Sequence, residues 1–247
     1  MNRYLLPKIM FILMLSERAF SQTVSPQELL RKVDDLYRSK GSQGQIEMEL
    51  ITPDWSRTLK MDMWTRGMDY TFVRIREPRK DKGVSSLKRQ NDMWNFFPKI
   101  NKVIKVPPSM MMGSWMGSDF TNDDLVRNSS LVRDYVIVSS SNEGDHVSIV
   151  LKPQEQTVSV WGKIRIVISQ KNQIPLQQEF YDERDQKMRI LYFKDVRQFG
   201  NRIIPATMEL EPLNQKGHKT IIRYVSAQFD TDVPESTFTL TNLQKRR

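Results

Sequence analysis

The chain has 247 residues, with 38 Lys and Arg against 29 Asp and Glu, no cysteine, two histidines and 14 methionines. Without cysteine there is no disulfide framework, thiolate metal cage, cysteine nucleophile or lipid-modified N-terminal cysteine, and two histidines leave little room for an imidazole metal site or a triad. The formal charge of +9 is spread without a block of like charges, so nucleic acid is not an expected partner.

Arg3 and Lys8 flank the apolar run Ile9 to Leu15, which is followed by Ser16-Glu17-Arg18 and then Ala19-Phe20-Ser21-Gln22. A basic start, a short apolar stretch and small residues at a cleavage point make a secretory signal peptide over residues 1–21, cut after Ser21, with one domain over 22–247. The run is shorter than the roughly 20 apolar residues that span a bilayer. The alternative is a buried first helix, but Pro7, Lys8, Glu17 and Arg18 interrupt any amphipathic stripe. The mature chain is therefore expected outside the cytoplasm. A cysteine-free chain in that oxidising compartment is held by its core alone.

Ser25-Pro26-Gln27-Glu28 reads as an N-cap, a proline in the first turn and a Glu placed to close a capping box. Leu29, Leu30, Val33, Leu36 and Tyr37 follow as one apolar stripe, predicting an amphipathic helix of about four turns that ends at Gly41. Beyond Gly44 the period falls to two. Ile46, Met48 and Leu50, then Leu59, Met61 and Met63, then Thr71, Val73 and Ile75 alternate with polar or opposed residues, as half-buried antiparallel strands do. The pattern continues through 93–97 and 102–106 and resumes from 135 to 229. About eleven short strands without interposed helices predict a mainly β chain with few helices. They form a single strongly curved antiparallel sheet, a half-barrel covered by the N-terminal helix and a short helical or loop lid.

Some strands carry large apolar residues on both faces. Trp94 and Phe96 oppose Met93 and Phe97, and Leu191 and Phe193 oppose Ile190 and Tyr192. A strand with one solvated face does not do that. One face of a curved sheet can be core while the other lines a ligand cavity, with Trp64, Phe72, Trp94, Phe96, Leu191 and Phe193 as candidates. A β-sandwich with occasional two-faced strands is the alternative.

Residues 107–127 do not read as a strand. Met110, Met111, Met112, Trp115, Met116 and Phe120 are interleaved with Gly and Ser, an apolar and permissive stretch rich in unbranched, polarisable side chains. Thr121-Asn122-Asp123-Asp124 then offers N-caps for a short helix. The stretch suits a hydrophobic flap over a cavity, and equally a loop that plugs the end of the sheet.

No local motif nominates a reaction, a metal or a cofactor. Ser114 is out of register for a nucleophile elbow. Ser85 and Lys88 have a serine–lysine spacing that works only on a helix. Asp119, Asp123 and Asp124 lack the Gly and Glu of a calcium loop. There is no phosphate-binding glycine loop.

Taken together, the signal peptide, the N-terminal helix, the strand series and several segments resemble the periplasmic outer-membrane lipoprotein-sorting family with the LolA/LolB-like fold. The segments are Arg76 to Gly83, Asp92 to Lys99, Gly113-Ser-Trp-Met-Gly-Ser-Asp-Phe120 with Asp123-Asp124-Leu125, and Phe229 to Phe238. The resemblance implies a non-enzymatic, monomeric periplasmic carrier that binds acyl chains of a lipid or lipoprotein and passes them toward the outer membrane. Its partners would be an inner-membrane permease and an outer-membrane acceptor. A transporter accessory or sensor module that binds protein instead of lipid is the alternative. The gating arginine of the housekeeping carrier has no secure counterpart, and Arg74 and Arg76 are candidates for gating or headgroup contact. Lys99, Lys102 and Lys105 either meet anionic headgroups or are solvated strand faces that blunt edge pairing.

Overall fold

The computed structural model describes residues 24–126, 130–157 and 159–245. The expected signal peptide, residues 1–21, lies outside the described residues. Helix α1 (Pro26–Asp35) opens the described chain, with the Ser25 hydroxyl accepting from the Glu28 N–H at 3.2 Å. It is one turn shorter than its apolar stripe predicts. Tyr37, just past its end, stacks on Tyr224 at 5.8 Å and donates its hydroxyl to the Pro205 carbonyl, a tertiary contact that replaces the last helical turn.

Strands β1 (Gly41–Ile51), β2 (Ser56–Arg66), β3 (Tyr70–Glu77), β4 (Ser85–Arg89), β5 (Asp92–Phe97) and β6 (Lys102–Lys105) form an antiparallel meander. After the short helix α2 (Asn122–Val126) come β7 (Tyr135–Glu143), β8 (His146–Pro153), β9 (Lys163–Ser169), β10 (Pro175–Tyr181), β11 (Lys187–Phe199), β12 (Arg202–Pro212) and β13 (Lys219–Phe229), a second meander. Helix α3 (Leu240–Leu243) closes the described chain. The first and last strands pair, from Ser42 opposite Phe229 to Ile51 opposite Lys219, and join the meanders. A side chain at Gly44 would collide with the Ser226 carbonyl in this pair, so only glycine fits.

Among the described residues, the result is one curved, open sheet of thirteen strands, where about eleven were expected. The strand that periodicity missed is β4, Ser-Ser-Leu-Lys-Arg, in which four consecutive residues are buried. Its polar residues are satisfied by tertiary partners. Ser85 accepts from Arg74 Nε at 3.2 Å, Ser86 donates to Asn95 at 2.6 Å, and Lys88 donates to the Met68 carbonyl at 2.6 Å.

Strands β6 and β7 are consecutive among the strands yet lie at opposite edges of the sheet. The segment between them must therefore cross the open side. It packs Trp115, Met111, Met116 and Leu125 on Ile46, Met48, Leu50, Leu59, Met61, Val73 and Ile75. Helix α1 lays Leu29 and Leu30 on the other half, against Ile149, Ile164, Ile166 and Phe180. Burying each of these leucines contributes about 2 kcal/mol. A third cluster forms on the reverse face of β3 to β5, where Phe238 and Leu243 of the C-terminal segment cover Phe72, Leu87 and Phe96. Alternation along β3 separates the faces: Val73 and Ile75 meet the crossing segment, and Phe72 and Arg74 meet the C-terminal segment.

Candidate functional site

A cavity of about 1270 Å³ opens between the two edges of the sheet. Buried Tyr135 of β7, Ile164 of β9 and Phe180 of β10, with half-buried Trp161, make an apolar wall. Val106, Pro107, Pro108 and Met111, which follow β6, face it from the other edge. The polar lining includes Asp69, Asp92, Asp123, Asp124 and Asp134 with Lys105 and Arg133. The volume exceeds the roughly 300–1,000 Å³ of ordinary small-molecule pockets, which suits a long or branched ligand. Among the described residues no three His, Cys, Asp or Glu side chains converge as a metal centre requires.

Helix α2 is fastened over this cavity by one carboxylate that does two jobs. Asp124 accepts from the Thr121 N–H at 2.8 Å and hydroxyl at 3.0 Å while Thr121 Oγ1 accepts from the Asp124 N–H at 3.1 Å, a reciprocal cap. The same carboxylate takes both arms of Arg189 of β11, at 2.8 and 2.6 Å. The guanidinium lies 4.4 Å from the centres of both the Trp161 and Phe180 rings, so it is held by aromatic faces as well as by charge. Burial alone would raise the Asp124 pKa, but the Arg189 hydrogen bonds and charge, with those of Thr121, hold it below its ordinary 3.8. The latch is therefore ionised at neutral pH.

The middle of the crossing segment is pinned. Trp115 is 2 % exposed and donates its indole N–H to Ser86 Oγ at 3.0 Å. Arg57 donates to the Met116 carbonyl at 3.0 Å, and Asp119 accepts from the Thr220 hydroxyl at 2.7 Å. Met116 adopts φ 54 and Gly117 φ 80, a tight left-handed turn that aims Trp115 inward. Phe120 is half-buried, and its carbonyl accepts from the Trp115 N–H at 2.8 Å.

Of the residues singled out from sequence, Met111 lines the cavity. Trp115 and Met116 sit in the core beneath the crossing segment, and Met110 and Met112 point outward, 60 % and 47 % exposed. Leu191 packs on the α1 cluster, and Phe193 is half-buried further along the same face of β11, which is also the face of Arg189. Trp64, Phe72, Trp94 and Phe96 lie together in the cluster under the C-terminal segment, on the reverse of the sheet. Arg74 shares that reverse face, donating to the Asn242 carbonyl at 2.7 Å, and Arg76 is exposed and pairs with Asp62 at 3.2 Å. The arginine that reaches the crossing segment's helix is Arg189. The aromatic wall of Tyr135, Trp161 and Phe180 was not singled out, because its members are separated along the chain and meet only when the second meander curls.

Two comparisons with known proteins match this architecture. A family model described as "-like: Uncharacterized protein" matches residues 67–245. No curated protein matches the chain by sequence. Among solved structures, the chain is similar to a DUF1329 family protein from Desulfovibrio piger, with a TM-score of 0.76 at 18% identity over 88% of this chain and 97% of that one. It is similar to a domain assigned to outer membrane lipoprotein sorting from Vibrio parahaemolyticus, with a TM-score of 0.74 at 21% identity over 89% and 98% of the two chains. A LolA superfamily protein from Nitrosomonas europaea gives 0.73 at 19% identity over 89% and 99%. At these identities the likeness establishes the fold. The chain thus belongs to the uncharacterized-protein family whose model spans residues 67–245, and it is built on the LolA-like half-barrel.

Proposed function

We propose that this protein is a periplasmic carrier that shields the acyl chains of a lipid or lipoprotein and passes them toward the outer membrane, taking them from an inner-membrane permease. The observation that supports this most directly is the cavity of about 1270 Å³ between the sheet edges, walled by Tyr135, Trp161, Ile164 and Phe180 and roofed by a latched helix. An acyl chain has no polar handle, so its site needs apolar area and exclusion of water, at about 25 cal/mol per Å² buried. The signal-peptide pattern supports the compartment. The protein acts by binding, and no reaction is assigned to it.

Native mass spectrometry of protein purified from membranes tests the reading. Co-purified acyl lipid, lost in Met111→Asp and kept in Met110→Asp and Met112→Asp, is the expected result. Protein that is empty from every preparation and refuses added acyl chains overturns it. Met110 and Met112 face outward, so if the chain is instead a protein-binding module of a transporter, those two substitutions abolish complex formation with the permease while leaving lipid binding intact.

A further inference from the structure

The positive charge of the molecule is concentrated at one end of the sheet. Neighbouring strands bring together there the β1–β2 turn (52–55), the β3–β4 connection (78–84), the β5–β6 turn (98–101) and the β12–β13 turn (213–218). These turns form one surface: Gly217 packs against Pro53, Arg57 reaches Asp81 at 3.7 Å, and Gly83 packs against Pro98. On or beside them lie Arg79, Lys80, Lys82, Lys99, Lys102 and Lys216, all exposed and none with an ion-pair partner among the described residues. Within the same turns the carboxylates are Asp81, which pairs with Arg57, and Asp54. Cations on the flat of the sheet are paired instead: Lys60 with Glu77, Arg223 with Glu49, and both Lys194 and Lys219 with Glu209.

The same turns display large apolar side chains. Trp55, Ile100 and Leu213 are 49 %, 60 % and 45 % exposed. Thr52 fixes the first turn by donating its N–H and hydroxyl to the Trp55 carbonyl at 2.9 and 3.0 Å, so the indole is presented by a rigid loop. None of these cations or apolar tips lines the cavity; Lys105, further along β6, does, and it pairs with Asp92. Apolar tips set among free cations fit the surface of a bilayer. An indole settles at the headgroup level, aliphatic tips reach the acyl boundary, and lysines and arginines are drawn to anionic lipids.

We infer that this end of the sheet docks on an anionic phospholipid membrane, with Trp55, Ile100 and Leu213 at the interface and the six cations over the headgroups. The surface is separate from the cavity, so docking and acyl uptake can fail independently.

Cosedimentation of the mature chain with vesicles of phosphatidylcholine, with and without added phosphatidylglycerol, tests docking. Binding is expected to be at least about tenfold tighter to the anionic vesicles at low ionic strength, and to fall toward the neutral value in about 0.5 M salt. Lys99→Glu/Lys102→Glu is expected to weaken it by about 25-fold or more, since each cation near such a surface contributes about fivefold. Trp55→Ala is expected to weaken it severalfold. Arg89→Glu/Lys171→Glu makes an equal charge change on exposed residues at the other ends of their strands, and is expected to keep most of the binding. Both charge variants should melt with the parent, because the replaced side chains are exposed and unpaired. Equal binding to the two kinds of vesicle, or an equal loss in both charge variants, overturns docking at this end and leaves the carrier reading standing. Docking as expected without uptake of laurate overturns the carrier reading alone.

Discussion

Arg189 on β11 and Asp124 in α2 are joined by two parallel hydrogen bonds of 2.8 and 2.6 Å, and this pair ties the sheet to the helix above its cavity. The partners are 65 residues apart in sequence. Nothing local predicts that they meet. Because the arginine also packs against two adjoining aromatic rings and the aspartate also caps its own helix, removing either partner strands the other in a poorly solvated place.

Arg189→Leu is expected to destabilise the fold by about 3 kcal/mol, the usual cost of leaving one member of a buried pair. Amide exchange at residues 121–125 should speed up more than exchange in the sheet. The pair also has a pH signature. A carboxyl held below its ordinary 3.8 contributes stability above that value and loses it as pH falls through the depressed folded value. Denaturant titrations of the parent and Arg189→Leu should differ most at neutral pH and converge as pH falls, because burial without the arginine raises the Asp124 carboxyl in the variant while the parent loses its stabilisation only in stronger acid. A gap that stays constant into strong acid would exclude Asp124 as the group responsible.

The pin under the crossing segment can be tested through Trp115. Trp115→Ala is expected to cost about 4 kcal/mol, because a fully buried indole leaves a cavity beneath the segment. Ser86→Ala removes the oxygen that receives the indole N–H and is expected to cost about 1.5 kcal/mol. If the two single costs add in the double variant, the hydrogen bond is not what orients the ring.

The reverse-face cluster separates stability from binding. Phe238 is 1 % exposed and packs on Tyr70 at 5.6 Å between ring centres. Phe238→Ala should lower stability by about 4 kcal/mol while the folded fraction keeps its affinity for an acyl probe. A loss of affinity in protein that remains folded would place the ligand on the face of Phe72 and Trp94, contrary to the cavity between the edges.

Lys88 supplies a second pH test. Burial lowers its pKa from 10.5 to about 8, with the Asp69 charge opposing the shift. A base with a depressed folded pKa binds its proton less well in the folded state, so this group makes stability rise between about pH 8 and 10.5. Lys88→Met should flatten that rise, measured as the denaturation midpoint against pH. An unchanged slope would mean that Lys88 is solvated.

Period-two alternation made β1, β2 and β3 legible from sequence because one face of each is core, and the Ser25 cap and leucine stripe made α1 legible because capping and amphipathicity are local. Strand β4 was not legible, since Ser85, Ser86 and Lys88 are buried polar groups whose partners Arg74, Asn95 and Met68 are supplied by other turns and strands. Trp64, Phe72, Trp94 and Phe96 show the same limit in another form. Their spacing correctly marks a second apolar face, but an apolar face reads alike whether a ligand or the chain's own C-terminal segment covers it.

By itself the sequence determined what depends on neighbours along the chain: a mainly antiparallel β architecture, a capped first helix, and a Met- and Gly-rich segment that is neither strand nor long helix. The tertiary structure decided what depends on which strands end up at the edges. Because β1 pairs with β13, β6 and β7 become the two rims of an open sheet, the segment between them has to cross the gap, and the cavity forms where Met111, Trp161 and Phe180 converge. The long-range pairing of the first and last strands sets that geometry, and with it the approach of Arg189 to Asp124.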